Sequence, residues 1–300
     1  MALTNIGDSI LGEDEFTTDT QVRNGIMIKT LIPTNTRPVG VLIVTHGYSE
    51  HSGRYEDLAK TVVRQSNWAC VLHDVRGHGD SQGDRGYIGS FKEYMKDMEN
   101  VQNVAENIST TSGSIVFFGH SNGGLITLLY LSHPIRGKNS RIKACILSAP
   151  FVDLATPLTS IQRVLIRLLA GMMPKMKNTF DSGFEVNLSH DPEMHKSRRL
   201  DTKCFTHSTV GWLNQAFRAQ ALIKKNIRHL KVPTFWFIPG QDLVCSSKAS
   251  LTFIQKLQGL EGEGSRMVRV YEYPDCFHEI FFETIREKPT RELLDILSKL

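Results

Sequence analysis

A serine, a carboxylate and a histidine occur in this chain in an order that suits nucleophilic catalysis. Ser121 lies in the sequence Gly119-His120-Ser121-Asn122-Gly123, directly after an apolar run. A serine hydroxyl is a weak nucleophile at neutral pH and needs a histidine base, which in turn needs a carboxylate to orient it. Asp242 and His278 follow Ser121 in that order along the chain. These three residues are therefore the predicted nucleophile, acid and base.

The residues around Ser121 predict a tight turn between a strand and a helix. The run Ile115–Phe118 has the β-branched and aromatic residues of a strand, and Leu125–Leu131 has a helical pattern. Gly119 and Gly123 keep side chains out of a crowded turn that exposes the serine hydroxyl at the edge of a sheet. Two glycines around a serine are common in loops, so the strand and the helix give the pattern its specificity.

Asp242 and His278 each stand in a loop after a predicted strand. Thr234–Ile238 precedes Asp242, and Met267–Tyr271 precedes His278. The carboxyl ends of parallel strands meet at one edge of a sheet, where ligand sites of such sheets lie. Both side chains are therefore expected close to Ser121.

Two backbone amides are candidates for an oxyanion hole. A tetrahedral oxyanion needs two fixed N–H donors, one of which is the amide directly after the nucleophile. That amide belongs to Asn122. The second is assigned to Tyr48, because Gly47 and Tyr48 follow the apolar run Val39–Val44, which reads as an early buried strand.

Asp74, His78 and His120 are competing acid and base candidates. Asp74 also follows a predicted strand, but His78 precedes the serine, contrary to the expected order, and is assigned to loop stabilisation. His120 adjoins the serine, and neighbours around a tight turn point apart. Gly77-His78-Gly79 is a weak phosphate-loop pattern without a lysine in the P-loop position, which argues against nucleotide binding.

Short apolar runs alternate with helical patterns along most of the chain. This alternation predicts an α/β fold, a mostly parallel central sheet with helices on both faces. Asn24-Gly25 is a favoured hairpin turn, so the first two strands are expected to be antiparallel. The predicted strands are Phe16–Val22, Ile26–Ile32, Val39–Val44, Ala69–His73, Ile115–Phe118, Ala144–Leu147, Thr234–Ile238 and Met267–Tyr271.

The alternation stops between about residues 151 and 232, which predicts a helical cap inserted into the sheet domain. The expected division is residues 1–150 and 233–300 for the two parts of the core and 151–232 for the cap. An apolar stripe of the cap has two interpretations, packing over the sheet domain or a lid helix that meets acyl chains or a membrane surface. Its residues are Leu158, Ile161, Val164, Leu165, Leu168, Leu169 and Met172.

Composition excludes several classes of protein. The 300 residues are 40% hydrophobic and 22% charged, as in ordinary globular proteins, and a net charge of +4 is too small to indicate nucleic-acid binding. Two basic clusters are interpreted as solvated helix faces, with contact to an anionic membrane as the alternative. They are Lys196, Arg198 and Arg199, and Lys224, Lys225 and Arg228. Five cysteines without a C-x-x-C pair or zinc-ligand spacing predict free thiols in a reducing compartment, no metal site and no cofactor.

The N-terminal sequence carries acidic residues where a secretory signal would be basic and apolar. No uninterrupted apolar stretch approaches the roughly 20 residues of a spanning helix. A cytoplasmic protein is therefore expected, with peripheral contact to a membrane through the cap as the remaining option.

Four segments together resemble the monoacylglycerol lipase and lysophospholipase branch of the α/β-hydrolases. The first two have the long patterns H-G-x-x-E-H-x-x-R-Y and D-x-R-G-H-G-x-S, at the right distances from the serine turn. The resemblance runs from about Val22 to the C-terminus and is weakest in the cap. The segments are His46–Tyr55, Asp74–Ser81, Gly119–Gly124 and Leu147–Pro150.

The resemblance implies a serine hydrolase that cleaves the acyl ester of monoacyl lipids. It implies Ser121, Asp242 and His278 as the triad, with the oxyanion amides already assigned. The substrate is then a small acyl ester, a monoacylglycerol or a lysophospholipid. The Glu and Arg of the first pattern, here Glu50 and Arg54, face the alcohol end of the substrate in that family; an ion pair that secures the loop is the alternative.

Two positions depart from the pattern of the family. A methionine usually follows the nucleophile, where this chain has Asn122, and animal members carry a second histidine where this chain has Phe281. Cys245 matches a cysteine of the animal enzymes. These departures concern the surroundings of the ester and not its cleavage. The sequence does not determine the head group, the length of the acyl chain or the oligomeric state.

Two further functions remain as alternatives. A peptidase that releases N-terminal residues needs an acidic group for the amine of its substrate, which Glu185, Asp191 or Glu193 in the cap would supply. A binding protein without catalysis on the same scaffold is disfavoured, because such proteins usually lack one of the three residues and this chain lacks none.

Overall fold

A computed structural model describes residues 15–109, 113–135, 139–179, 184–260 and 267–300 of the chain. Residues 1–14, on which the expectation about an export signal rests, lie outside the described residues. The strands of this part are β1 Phe16–Arg23, β2 Ile26–Pro33, β3 Gly40–Thr45, β4 Ala69–His73, β5 Ser114–His120, β6 Ile142–Ser148, β7 Lys177–Thr179, β8 His207–Thr209, β9 Thr234–Pro239 and β10 Val268–Tyr273. The helices are α1 Glu56–Ser66, α2 Phe91–Ile108, α3 Asn122–Leu131, α4 Ser160–Met172, α5 Pro192–Leu200, α6 Val210–Asn226, α7 Ser247–Gln258 and α8 Glu287–Ser298.

Eight of the strands form one mostly parallel sheet in the order β1-β2-β4-β3-β5-β6-β9-β10. The β1–β2 and β2–β4 pairs are antiparallel, and the pairs from β4 to β10 are parallel. The sheet thus confirms the predicted α/β architecture. Its parallel strands all end at the edge where Ser121 stands, directly before α3.

Hydrophobic clusters cover both faces of the sheet, as a parallel sheet requires. Side chains of α2, α3, α6 and α7 pack on one face, and side chains of α1 and α8 pack on the other. Every residue of the central strands β3 and β5 is buried. This explains why their sequences are continuous apolar runs instead of alternating patterns.

The first two strands form the predicted hairpin, with Arg23 paired to Ile26 across the turn. Asn24 and Gly25 both have positive φ angles, 52° and 77°. Only residues that tolerate the left-handed region suit these two positions of a two-residue turn. The Asn-Gly pair is therefore the local cause of this reversal.

The segment between β6 and β9 contains α4, β7, α5, β8 and α6. Its two short strands pair with each other, not with the main sheet, and the sequence did not indicate them because each has three residues. Helix α6 buries Trp212, Ala216 and Ile223 in the core.

Helix α4 differs from α6, because none of its residues is buried. Ile161 is 81% exposed and Met172 is 72% exposed, so the prediction that this apolar stripe packs over the sheet domain is wrong. The helix nevertheless has a strong start, where Thr159 and Gln162 form a reciprocal capping box.

All five cysteines are free, as expected. Within the described ranges, no helix has both the length and the apolar character needed to cross a membrane.

Candidate active site

Ser121 occupies a strained turn between β5 and α3. Its φ of 52° and ψ of −117° lie outside the regions that most residues adopt. A Cβ on Gly119 would lie 2.6 Å from the carbonyl oxygen of Gly123, and a Cβ on Gly123 would lie 2.1 Å from that of Thr45. Both glycines are therefore required by close backbone approach, as predicted.

Backbone hydrogen bonds from the neighbouring strand brace this turn. The Ser121 N–H donates to the Ser148 carbonyl at 3.0 Å, and the Phe151 N–H donates to the Ser121 carbonyl at 2.9 Å. The strained conformation is thus held from β6 and from the loop after it, which fixes where the hydroxyl can point.

His278 and Asp242 form a buried pair at the ends of β10 and β9. The His278 Nδ1–H donates to Asp242 Oδ2 at 2.8 Å. The second carboxylate oxygen accepts from the N–H groups of Val244 and Cys245, each at 2.8 Å. With Nδ1 occupied by the proton, Nε2 is the nitrogen left to act as a base.

Burial and the carboxylate act on His278 in opposite directions. Burial by itself would lower the pKa of the imidazole, because it disfavours the charged form. The Asp242 carboxylate stabilises the imidazolium, and the resulting pKa of His278 lies above the ordinary histidine value. A base of this kind takes up a proton readily and holds it beside a fixed negative charge.

Ser121 and His278 line one cavity with a volume of about 530 Å³. This volume lies within the range of small-molecule sites. Cys245 Sγ, 3.9 Å from Ser121 Oγ, also lies within 4.8 Å of the polar atoms of Asp242 and His278. The structure therefore brings together the three residues whose strand order predicted a common site.

The walls of this cavity are largely apolar and come from both the sheet domain and the segment between β6 and β9. The apolar lining residues are Phe151, Leu154, Leu158, Ile166, Met176, Leu188, Val210, Trp212, Leu213, Leu243 and Val244.

The two residues assigned to the oxyanion hole, Tyr48 and Asn122, both line the cavity. Asn122 begins α3, so its N–H has no acceptor within the helix. The Tyr48 side chain packs against the Trp212 ring, with centroids 3.7 Å apart, and donates its hydroxyl to the Gly86 carbonyl at 2.8 Å. These two contacts fix the position of the Tyr48 ring.

Glu50 holds this loop in place. Its Oε1 accepts from the Gly47 N–H at 2.5 Å and from the Tyr55 hydroxyl at 2.9 Å, and its Oε2 pairs with Arg54. Burial alone would raise the pKa of the carboxyl, but Arg54 and other nearby positive groups keep it well below the usual range. The charged Glu50 side chain therefore fixes the position of Gly47, the residue before Tyr48.

Arg54 lies behind Glu50 and is not among the residues that line the cavity. It makes two hydrogen bonds to Glu279, at 2.8 and 2.6 Å, in addition to its pair with Glu50. The arrangement corresponds to the alternative in which Glu50 and Arg54 secure the loop. Contact of either residue with a substrate stays a prediction.

Arg198 and Glu279 complete a buried ion cluster of two acids and two arginines, and both line the cavity. Arg198 of α5 donates to Glu279 at 3.2 Å and to Ser49 Oγ at 2.7 Å. Its side chain is 9% exposed, so the interpretation of Arg198 as part of a solvated face was wrong. No local pattern indicated this pairing, whereas Glu279 could have been noticed as the carboxylate directly after the predicted base.

The competing residues hold loops. Asp74 accepts from the Ser52 N–H and hydroxyl at 2.8 and 2.6 Å. His78 lies 3.1 Å from the Arg76 carbonyl, and burial lowers its pKa to about 3. His120 lies beside Ser148 Oγ, and burial lowers its pKa to about 4. The protonated forms of His78 and His120 are strongly disfavoured. Both are therefore neutral imidazoles, which suits a structural role.

Among the residues that the structure describes, two groups of side chains are close enough to be considered as metal ligands. Asp242, Cys245 and His278 form one, and the structure also brings together His51, Asp201 and Cys204 from distant parts of the chain. Burial raises the pKa of Cys204 to about 12 and that of Cys245 well above its usual value. Because metals bind the thiolate, a metal at either place would have to displace the proton of the thiol.

Phe281 does not line the cavity. Its ring packs against Phe118 and Phe237, with centroids 5.1 and 5.3 Å away, inside the hydrophobic cluster of the sheet. The position that carries a second histidine in animal relatives is therefore used for packing in this chain.

Comparison with known proteins identifies relatives over most of the chain. Residues 36–285 match the family model Hydrolase_4, described as serine aminopeptidase, S33. The phospholipase YtpA of Bacillus subtilis is 26% identical over 253 residues, which cover 84% of this chain and 92% of that protein. Human monoglyceride lipase is 26% identical over 260 residues, which cover 84% of this chain and 82% of the enzyme.

Solved structures share the fold. A soluble variant of monoglyceride lipase from Saccharomyces cerevisiae, in complex with a substrate analogue, superposes with a TM-score of 0.76 at 18% identity. The match covers 96% of this chain and 97% of that one.

Proposed function

The chain belongs to the Hydrolase_4 family of α/β-hydrolases, and we propose that it is a serine carboxylic ester hydrolase that acts on monoacyl lipids. The observation that carries the proposal is the meeting of Ser121 and the His278–Asp242 pair at a cavity with apolar walls. The apolar walls of the cavity can bind an acyl chain, and the polar residues beside them can bind an ester group. The names of the relatives, phospholipase and monoglyceride lipase, support the same class of substrate.

In the proposed reaction, Ser121 Oγ attacks the ester carbonyl while His278 Nε2 takes its proton. The backbone N–H groups of Tyr48 and Asn122 stabilise the oxyanion that forms on the carbonyl oxygen. His278 then gives the proton to the leaving alcohol, and an acyl group remains on Ser121. Attack by water, with the same base, releases the fatty acid and restores the serine.

The chain-length dependence of hydrolysis tests this substrate class. A series of monoacylglycerols and lysophosphatidylcholines is expected to give kcat/KM values that rise by about fourfold per added methylene until the cavity is filled. Fatty-acid release is the measurement, and a short water-soluble acetate ester is the reference substrate. Values of kcat/KM that do not change with acyl-chain length would contradict the proposal that the cavity binds the acyl chain.

The peptidase alternative has less support. Among the acids suggested for binding an amine, Glu185 pairs with Arg199 and Asp191 pairs with Arg286. Neither these two residues nor Glu193 line the cavity. Aminoacyl amides belong in the same assay, where their preferential cleavage would favour the peptidase.

We further propose that residues 151–232 act as the cap of this enzyme, between core parts 1–150 and 233–300, and that α4 makes its peripheral contact with membranes. The apolar side chains Ile161, Leu168 and Met172 are all more than half exposed. Other residues of this segment, Leu158 and Ile166, line the cavity. An apolar helix face close to the cavity would let a monoacyl lipid pass from a bilayer without crossing water.

The double variant Ile161→Ser, Leu168→Ser is expected to lower binding to phosphatidylcholine vesicles by at least about tenfold, because two large apolar side chains no longer enter the interface. Cosedimentation with the vesicles measures the bound fraction. Leu222→Ser is the matched control, since Leu222 is 45% exposed on α6. Equal losses in both variants would argue against a specific role for α4.

A further inference from the structure

The side chain of Glu283 is a buried carboxylate that the proposed reaction does not use. It is only 1% exposed, and among the described residues the one basic side chain within ion-pair distance of it is His190, 2.9 Å away. Burying a carboxylate is costly unless several donors stabilise it. The donors around Glu283 therefore show which parts of the chain this charge holds together.

Glu283 connects two loops from different parts of the chain. Its Oε1 accepts from the Phe277 N–H at 2.9 Å, in the loop that carries His278. Its Oε2 accepts from the His190 N–H at 2.9 Å, in the inserted segment between β6 and β9. The His190 ring adds a contact to Oε1, where Nδ1 donates at 2.9 Å. One carboxylate thus joins the residue directly before the base to the inserted segment.

Further contacts between the same two loops restrict the residues on both sides of His278. The Glu279 N–H donates to the Leu188 carbonyl at 2.7 Å. The His190 ring stacks on the Phe277 ring, with centroids 3.8 Å apart. The residues before and after the base are therefore both bound to partners outside their own loop, and the placement of the imidazole depends on theirs.

We propose that Glu283 is a positioning residue, which holds His278 in place for catalysis by tying its loop to residues 188–190 of the inserted segment. The inference rests on the proposed ester hydrolysis and adds a residue that acts through the base. Glu283 is not among the residues that line the cavity, so it has no contact with the substrate there. The base is in its working position only while this part of the inserted segment is docked.

The negative charge of Glu283 is needed because both oxygens accept hydrogen bonds from different loops. A carboxylate has acceptors only, and its hydrogen bonds are stronger than those of a neutral group. In Glu283→Gln the amide NH2 group would face an N–H donor at one of the two loops, so one connection would be lost. The size of the side chain stays nearly the same, and the substitution leaves no cavity.

Glu283→Gln is expected to lower kcat for a monoacyl ester by at least about tenfold, as for the loss of one charged hydrogen bond. KM should stay near the wild-type value, because the apolar walls of the cavity do not change. The acidic limb of the pH profile of kcat/KM should move to lower pH. The Asp242 carboxylate raises the pKa of His278, and a displaced imidazole loses part of that interaction.

The rate of labelling by a fluorophosphonate provides a measurement that does not depend on recognition of an acyl chain. Labelling requires Ser121 and its base, so the rate constant in Glu283→Gln should fall by about the same factor as kcat. Glu287→Gln is the matched control, because it makes the same chemical change at an exposed position of α8. It should keep the wild-type kcat, KM and labelling rate. Equal values in Glu283→Gln and Glu287→Gln would overturn the proposal.

His190→Ala tests the connection to the inserted segment. The His190 side chain is 42% exposed, and its removal leaves Glu283 with both backbone donors, so thermal melting should change little. The value of kcat should fall, but less than in Glu283→Gln. In the double variant the loss should be smaller than the product of the two single losses, because both residues act through one contact. Losses that multiply would show independent effects and would overturn the proposal.

Thermal melting separates positioning from folding. If Glu283→Gln melts below the wild type, kcat and the labelling rate are compared at a temperature at which both proteins are folded, and wild-type values there would overturn the proposal. If Glu283→Gln does not fold at all, a wild-type kcat in His190→Ala would overturn it. A wild type that is not labelled and hydrolyses no monoacyl ester would instead contradict the proposed function itself.

Discussion

Ser121→Ala is expected to lower kcat/KM for monoacyl esters by at least about 10⁴-fold, because no other group supplies the attacking oxygen. The free energy of unfolding should change by less than about 1 kcal/mol. The contact of the Ser121 hydroxyl with Cys245 Sγ is long at 3.9 Å, and the backbone hydrogen bonds that brace the turn do not involve the side chain. Steady-state hydrolysis and urea unfolding measure the two quantities.

Ser132→Ala is the matched control for this substitution. Ser132 is also buried, and it caps the opposite end of the same helix, α3. Its replacement should leave kcat/KM near the wild-type value. A fluorophosphonate that labels the wild type and Ser132→Ala, but not Ser121→Ala, would identify the nucleophile. Full activity in Ser121→Ala would refute the assignment.

The second large effect is expected for Asp242→Asn. The amide can no longer hold the proton on Nδ1 of His278, so the wrong tautomer is favoured and kcat should fall by about 10⁴-fold. The pH dependence should change as well. In the wild type the active, neutral form of His278 appears as the pH rises through a pKa above the ordinary histidine value. Without the Asp242 carboxylate, burial lowers this pKa and only the more distant charges of Glu279 and Glu50 still raise it.

The acidic limb of the pH profile of kcat/KM should therefore move to lower pH in Asp242→Asn, while the plateau falls. Asp275→Asn is the control, because Asp275 is an exposed carboxylate in the loop that leads to His278. It should change neither the plateau nor the limb. A lower plateau with an unmoved limb would show that the titrating group is not His278.

The sheet could be predicted from the sequence, because its signals are local. The same is true of the meeting of Ser121, Asp242 and His278. Buried parallel strands are continuous apolar runs, and the glycines of the serine turn are dictated by close backbone contacts. Chain order then places each side chain at the same edge of the sheet. The catalytic roles of these residues stay predictions until activity is measured.

The ion cluster and the surface of the inserted segment could not be predicted in this way. Arg198 and Glu279 are 81 residues apart, and nothing in either neighbourhood indicates that they meet. The stripe on α4 has the periodicity of a packed helix although it is exposed, because periodicity reports which side chains share a face and not what covers that face. Strands β7 and β8 are too short and too polar to leave a pattern.

Ion pairs hold the helices of the inserted segment unequally. Helix α5 and the residues that flank it are held by the buried Arg198 and by two partly exposed pairs, Asp201–His51 and Asp191–Arg286, each at 2.6 Å. Helix α4 buries no residue. Breaking the buried Arg198–Glu279 pair would cost about 3–5 kcal/mol, whereas, among the described residues, displacing α4 separates only the partly exposed Arg163–Asp153 pair. Any displacement of the inserted segment is therefore expected to begin at α4 and to leave α5 in place.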